Sequence, residues 1–543
     1  MTEQELSSSL AALQSVCNLL DWEQQTATIT GKSSGQTGVS EPLKQLRRRL
    51  IIEEVGNPVG SNRLYIRIKD NQPEEKTTPE KNSLEADNSE KNSQIKTKQD
   101  RIEAAISREL TKMRERESRL TDEEAKAQAE LTRQAGEAWE NCHRKASHQK
   151  QTASSQATIF SQTAASEKEY LEILDAQMGL LREASKKTEY EAYLLDYEPC
   201  YDKKTIDAYF RECKRSLRPL LVERLKKQRQ EPPVWEPKES YTADRQRKLA
   251  RFLSEYLGFD ASKGELGESV HPFTTAFNRD CVYWSDHYVP DNPFAGIFTA
   301  LHETGHALYE QNLGKELTGT VLAGGCSSAM HEAIARFYEN NIGRMAEFWK
   351  PIYKKVTEIL GGEFERLPFL EFMRRIRQIK PGYIRTEADE LTYPYHILLR
   401  YELEQALFSG EITAKDLPEE WNRRMQEYLG IVPEQARQGY LQDIHWSCGQ
   451  FGYFPAYQTG NAIAAQIYKR VREALPLPEL LLAGRLGQLK RYLATYIFRY
   501  GLVKNTEELL TGMTGEPLQF RYYLEYLKER YGADDFDGSS SIG

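Results

Sequence analysis

Apolar residues recur at intervals of three and four through most of this chain, and that spacing commits it to helices. In Leu391–Leu407, the residues Leu391, Tyr395, Leu398, Leu399, Leu403, Ala406 and Leu407 form one stripe, and Gly410 ends the run. Comparable patterns cover about 100–149, 166–187, 203–228, 241–257, 294–313 and 327–345. Period-two alternation is best developed near Thr274–Val289 and scarce elsewhere. The spacing therefore predicts a mainly α protein with one small antiparallel β-sheet.

The N-terminal third reads differently. LAALQSVCNLLDWEQQT has helical spacing, Thr30–Ser40 is rich in Gly, Ser and Thr, and Pro42–Glu54 is a short basic helix candidate. Leu64–Ile68 is a lone strand candidate. From Lys69 to Gln99 the chain offers almost nothing to bury, so no apolar gain offsets the entropy of ordering it. The expected organisation is a divergent helical segment over 1–68, an unstructured polar insert over 69–99, a helical domain over 100–535 and a flexible tail over 536–543.

Composition narrows the function. Hydrophobic residues make up 39% of the 543, enough for a sizeable core. Acidic residues outnumber basic ones by 81 to 73, and a net charge of -8 argues against a general binder of nucleic acid. No apolar run approaches the ~18 residues of a membrane span. The opening MTEQELSSSL lacks the basic and then apolar pattern of a secretory signal. Seven scattered cysteines without a Cys-x-x-Cys pair fit a reducing compartment, so a cytoplasmic location is expected.

Seven of the nine histidines fall between His271 and His445. Among them, His302-Glu303-Thr304-Gly305-His306 is an HExxH sequence inside a helical pattern. Residues i and i+4 share a helix face, so both imidazoles can reach one cation, and Glu303 can meet a water on it. Zinc held by two histidines and a third protein ligand activates a water for attack on a carbonyl, with the glutamate as general base. A metzincin would need Gly at 309 and His at 312, where this chain has Tyr309 and Asn312. A carboxylate from a following helix is the remaining pattern. Gly324-Gly325 supplies the break and Glu332 the preferred ligand, with Glu310 and Glu339 as rivals. Asp389, Glu390 and Glu339 are candidates to orient the imidazoles.

The blocks LHETGHALYEQ, HEAIARFYEN, YIRTEADELTYPYHILLRYELE and GYLQDIHWSCGQFGYFPAYQTGN together resemble the carboxypeptidase Taq family of zinc carboxypeptidases. Weaker similarity extends over roughly 130–530 and to the N-terminal LLDWEQQT. The resemblance implies a zincin-type, neurolysin-like helical fold with a deep cleft, also akin to angiotensin-converting enzyme, and a homodimer. It implies removal of single C-terminal amino acids from peptides with broad specificity, by a helical domain over 100–535. Carried over by motif, His302, His306 and Glu332 bind Zn2+, with Co2+ as a possible substitute, and Glu303 is the general base. His445 and Tyr453 would donate to the tetrahedral oxyanion, and Arg385 would hold the substrate carboxylate. The rival reading for Arg385 is a simple pairing with Asp389 four residues on.

The sequence departs from the family at two places near the site. Where the family has Asp-x-Arg-x-Thr, this chain reads Asp280-Cys281-Val282-Tyr283-Trp284, without the Arg and Thr. The family's His-Glu-Ser-Gln becomes His331-Glu332-Ala333-Ile334. An endo-acting oligopeptidase of the same fold, or a metal-binding scaffold with impaired catalysis, are the alternatives these departures leave open.

Overall fold

The computed structural model describes residues 2–30, 85–147, 153–185 and 189–532. The helices that build and brace the site are α1 (Glu3–Thr30), α2 (Glu85–Glu117), α3 (Asp122–Ser147), α4 (Ala153–Ser185), α5 (Lys203–Gln228), α6 (Ala243–Leu257), α7 (Pro293–Gln311), α8 (Ser328–Arg336), α9 (Tyr393–Ser409), α10 (Phe454–Ala474) and α11 (Arg521–Tyr531). The single helix expected over 100–149 is broken in two. Thr121 and Glu124 start α3 with reciprocal bonds, Thr121 N–H to Glu124 Oε2 at 2.7 Å and Glu124 N–H to Thr121 Oγ1 at 3.3 Å. The candidates at 42–54 and 64–68, and the tail 536–543, lie outside the described residues. So does the polar insert up to residue 84, whereas from Glu85 onward it forms the first part of α2.

The sheet corrects one expectation. Its strands are β1 (Gly264–Glu268), β2 (Thr274–Asn278) and β3 (Cys281–Asp286), in the spatial order β1-β3-β2. It is mixed: β2 and β3 are antiparallel, whereas β1 and β3 are parallel, with Gly264 opposite Val282 and Leu266 opposite Trp284. The chain turns at Arg279–Asp280 and brings β3 back into the gap between β1 and β2, which run in opposite directions. The Gly264-Glu-Leu-Gly-Glu strand carries too little alternation to be read from sequence.

One core cluster runs from Ala138 in α3 to Tyr531 in α11. A second joins Leu6 and Leu10 of α1 to Ile102, Ile106 and Leu110 of α2. In a third, Val282 and Trp284 of β3 pack on Ala300 and Ala307 of α7. Helix α7 is thus held between the sheet and α8, and α10 closes on the other side of α8. Gly305 and Gly460 permit that closeness: a Cβ on Gly305 would lie 2.7 Å from Ala335 Cα, and one on Gly460 2.8 Å from Glu332 Cβ. Among the described residues, no helix is long and apolar enough to cross a membrane.

Candidate metal centre

Helix α7 begins with proline at its first turn, where the missing N–H costs nothing, and runs buried through the molecule. His302 and His306 come off one face with ring centroids 4.8 Å apart. Ser327 caps α8, its Oγ accepting from the Met330 N–H, and so sets the phase that aims Glu332 at the two imidazoles. One ligand atom from each of His302, His306 and Glu332 can be chosen so that all lie within 4.8 Å of one another. His302 Nε2 is 3.6 Å from Glu332 Oε2, and His306 Nε2 is 3.7 Å from Oε1. Among the described residues nothing hydrogen-bonds the buried Oε2. A buried carboxylate with one oxygen left without a donor, its two oxygens each facing one imidazole Nε2, fits a divalent cation.

The far nitrogens of both rings are tied. His302 Nδ1 meets Glu339 Oε2 at 2.7 Å, and Arg336 Nη1 in turn holds both Glu339 oxygens at 2.8 and 2.9 Å. Against the pull of burial, Arg336 and His302 keep the Glu339 carboxyl down at about 2. Glu339 sits in a π turn, Phe337–Ile342, that continues α8. His306 Nδ1 bonds His331 Nδ1, whose ring passes on to Glu310 through Nε2 at 2.7 Å. Both bonds leave Nε2 of each ring for the cation, the arrangement expected of histidine ligands. Of the candidates to orient the imidazoles, Glu339 does so. Asp389 instead accepts from the N–H groups of Leu391 and Thr392, and Glu390 from the hydroxyls of Tyr526 and Tyr531. Glu310, the rival carboxylate on α7, bonds the His331 ring instead. The sequence spacing assigns no role to His331, although it adjoins Glu332.

Glu303 lies on the sheet side of α7. Thr274 Oγ1 donates to Glu303 Oε2 at 2.6 Å and to its main-chain carbonyl at 3.1 Å. Burial pushes the Glu303 carboxyl up to about 7, opposed by His302 and the Thr274 hydroxyl. The opposite wall comes from the start of α10. Tyr453 OH is 3.2 Å from Glu332 Oε1, and His445 Nε2 is 2.9 Å from Tyr457 OH. Burial holds the His445 imidazole well below its usual range. Tyr453 therefore touches Glu332 directly, whereas His445 bonds Tyr457 and packs its ring 5.3 Å from that of Tyr453.

Arg385 is buried and does not pair with Asp389. Its Nε donates to Asp443 Oδ1 (2.8 Å) and its Nη1 to Tyr393 OH (3.3 Å), and its guanidinium lies 4.6 Å from the Tyr457 ring centroid. Asp443 Oδ2 accepts from Arg400 Nε at 2.6 Å. Thr274, Asp443 and Tyr457 are site residues to which the sequence reading assigns no role, although Asp443 and Tyr457 lie within the GYLQDIHWSCGQFGYFPAYQTGN block. Val282 and Trp284, at the places of the missing Arg and Thr, are buried against α7. Arg279 caps the other end of α7, donating to the Leu313 carbonyl.

Fold and site together define a helical metallopeptidase of the HExxH-plus-glutamate kind. The family model described as Carboxypeptidase Taq (M32) metallopeptidase matches residues 3–531, and the chain belongs to that family. It is similar to carboxypeptidase 1 of Bacillus subtilis, 38% identical over 343 residues that make up 63% of this chain and 68% of the relative. Thermostable carboxypeptidase 1 of Thermus thermophilus is 34% identical over 345 residues, 63% and 67% of the two chains. The solved structure of Pyrococcus furiosus carboxypeptidase superposes with a TM-score of 0.79 at 27% identity, over 97% of this chain and 98% of the other. Trypanosoma cruzi metallocarboxypeptidase 1 gives 0.78 at 27%, over 98% and 99%. By family the protein is thus a metallocarboxypeptidase, an enzyme that requires a divalent metal.

Proposed function

We propose that the enzyme is a zinc carboxypeptidase that releases single C-terminal amino acids from peptides with broad specificity. His302, His306 and Glu332 would hold the ion, with Co2+ able to replace it. The observation that carries this reading is the convergence of those three side chains beside Glu303, with Glu332 Oε2 left without a partner. A zinc ion there would supply Lewis acidity, lowering the pKa of a water and polarising the scissile carbonyl.

The chain's own groups divide the remaining work. Thr274 occupies Glu303 Oε2, which leaves Oε1 to take a proton from the attacking water and return it to the leaving amine. Tyr453 donates to the oxyanion, and His445 supports that wall by orienting Tyr457. Arg385 takes the substrate's terminal carboxylate: it belongs to a buried cluster of two guanidiniums and one carboxylate, whose net charge is positive. We further read the protein as cytoplasmic and as a homodimer that acts on peptides, on the cysteine usage and family likeness given above.

Mass spectrometry of one unstructured peptide, with a free and with an amidated C-terminus, tests this. The expected result is a ladder of single-residue losses from the free form alone, abolished by Glu303→Gln. Internal cuts in both forms would replace the reading by an oligopeptidase.

A further inference from the structure

Strand β2 is an edge of the sheet, and among the described residues its outer side divides into a part that no other element bonds and a part covered by α1. Phe273 faces β3: its C=O accepts from the Ser285 N–H at 2.9 Å, and its N–H donates to Ser285 Oγ at 3.1 Å. Alternation then turns the N–H and C=O of Thr274 outward, those of Thr275 inward and those of Ala276 outward again. Beyond Thr274 the outer carbonyls are taken by α1. Asn18 Nδ2 donates to the Ala276 carbonyl at 2.9 Å, and the Ser15 hydroxyl shares its one proton between the Phe277 carbonyl at 2.8 Å and the Ala11 carbonyl of its own helix at 3.0 Å. Two successive carbonyls face the same way because the register breaks between Ala276 and Asn278. Gln14 Nε2 donates to Asn18 Oδ1 at 2.8 Å, which keeps the Asn18 amide N–H aimed at the strand. Trp22 fixes the helix on the sheet, with its ring 5.4 Å from Phe273 and 5.2 Å from Tyr283.

Thr274, the open position, is also the residue that holds Glu303. An extended peptide that adds to this edge therefore brings its main chain beside the general base. On the other side of Thr274 lies His271, whose ring is 6.2 Å from that of His445, towards the Arg385–Asp443 pair. With the carboxylate held by Arg385, as the proposed function has it and as this step assumes, the peptide body runs from there towards Ala276, antiparallel to β2. At about 3.3 Å per residue it reaches the Asn18 side chain roughly two residues beyond Thr274.

We propose that α1 sets how much of a peptide the enzyme can grip: Ser15 and Asn18 occupy the β2 edge beyond Thr274 and end main-chain pairing there. A peptide then pairs with both groups of Thr274 and with the Ala276 N–H, and residues further from its C-terminus gain nothing from the strand. Substrate preference rises with length over the first few residues and then levels off.

The test is a series of N-acetylated peptides of two to eight residues sharing one C-terminal dipeptide. Release of the last residue (kcat/KM) is measured for the wild type and for Ser15→Ala and Asn18→Ala, singly and together, each checked by thermal melting. Binding of the same series is measured by fluorescence anisotropy on Glu303→Gln with and without the α1 substitutions. The expected wild-type profile levels off near four residues. Freeing the carbonyls lets it keep rising, by about three- to tenfold at eight residues, the worth of roughly one net hydrogen bond, while the shortest peptides are unaffected. An unchanged plateau in folded variants, or the same change at every length, overturns the proposal. The two readings fail separately. A plateau that moves in the binding series while the wild type releases no single residues would sink the carboxypeptidase assignment and keep the role of α1. Single-residue release with an immovable plateau would do the reverse.

Discussion

Asp443 is one carboxylate serving two buried guanidiniums, and replacing it with asparagine isolates what that charge is worth. Arg385, Asp443 and Arg400 have side chains 3%, 8% and 0% exposed, with Nε–O distances of 2.8 and 2.6 Å to the two carboxylate oxygens. Against the effect of burial, the two arginines hold the Asp443 carboxyl far below the usual range. Asp443→Asn keeps the shape but leaves two buried cations without a counter-charge and turns an amide N–H towards a guanidinium donor. Removing one member of a buried pair costs about 3–5 kcal/mol, and with two partners affected the upper end is expected. Denaturant titration of the two proteins at pH 7 measures the difference. The sign of its pH dependence also follows. Because the folded pKa is depressed, the Asp443 contribution is complete above about 3.9, the unfolded value, and is lost as pH falls towards the folded pKa. The gap between wild type and Asp443→Asn should therefore hold from pH 8 to 5 and narrow by about 1.4 kcal/mol per unit below pH 4. Arg400→Met provides the control, since it removes comparable contact yet leaves one guanidinium to one carboxylate, and it should cost less than half as much. A loss under about 1 kcal/mol for Asp443→Asn, or equal losses for the two variants, would refute the charge argument.

Three further outcomes follow from the same geometry. His331→Ala and Glu310→Gln, which untie the far nitrogen of His306, should each weaken zinc binding about 10- to 100-fold in a chelator competition. Gly460→Ala should lower stability by about 1–3 kcal/mol in denaturant titration and weaken metal binding as well, because its methyl group would press on Glu332 Cβ. In an open helix the same change would be stabilising by about 1 kcal/mol. Thr274→Val should reduce kcat about 10- to 100-fold, the worth of a hydrogen bond to a charged group, with zinc affinity measured by the same competition unchanged.

The helices were legible because their signal is local. A stripe at three and four residues specifies a buried face whatever it packs against, so 203–228 and the α7 and α9 segments fall within a few residues of their observed bounds. Where the outcome depended on a partner element, the sequence said less. Strand β1 has two glycines in five residues and takes its strand form from pairing with β3, not from its own pattern. The break between α2 and α3 rests on four residues, in which the Thr121–Glu124 capping box was visible in principle but hidden inside a long polar helical run.

The site divides along the same line. His302, Glu303 and His306 are fixed relative to one another by helix geometry alone, so their spacing carries the reading. Glu332 needed a second helix, and the Gly324-Gly325 break made it the natural choice over Glu310 and Glu339. Those two rivals turn out to hold the far nitrogens of the imidazoles, His302 directly and His306 through His331. A carboxylate near a metal helix is thus easily found, but whether it ligates or orients depends on which side of the ring it approaches, and that is set by the phase of α8 and its π turn. Thr274 is the limiting case. Nothing in Phe273-Thr274-Thr275 marks the middle residue as a partner of Glu303; it becomes one because β2 lies along α7 with that side chain turned inward. The same strand then offers its outer edge to α1. Its inner side chain steadies the general base and its outer main chain is shared between substrate and Asn18, so the position of one short strand governs both the chemistry and the length of peptide gripped.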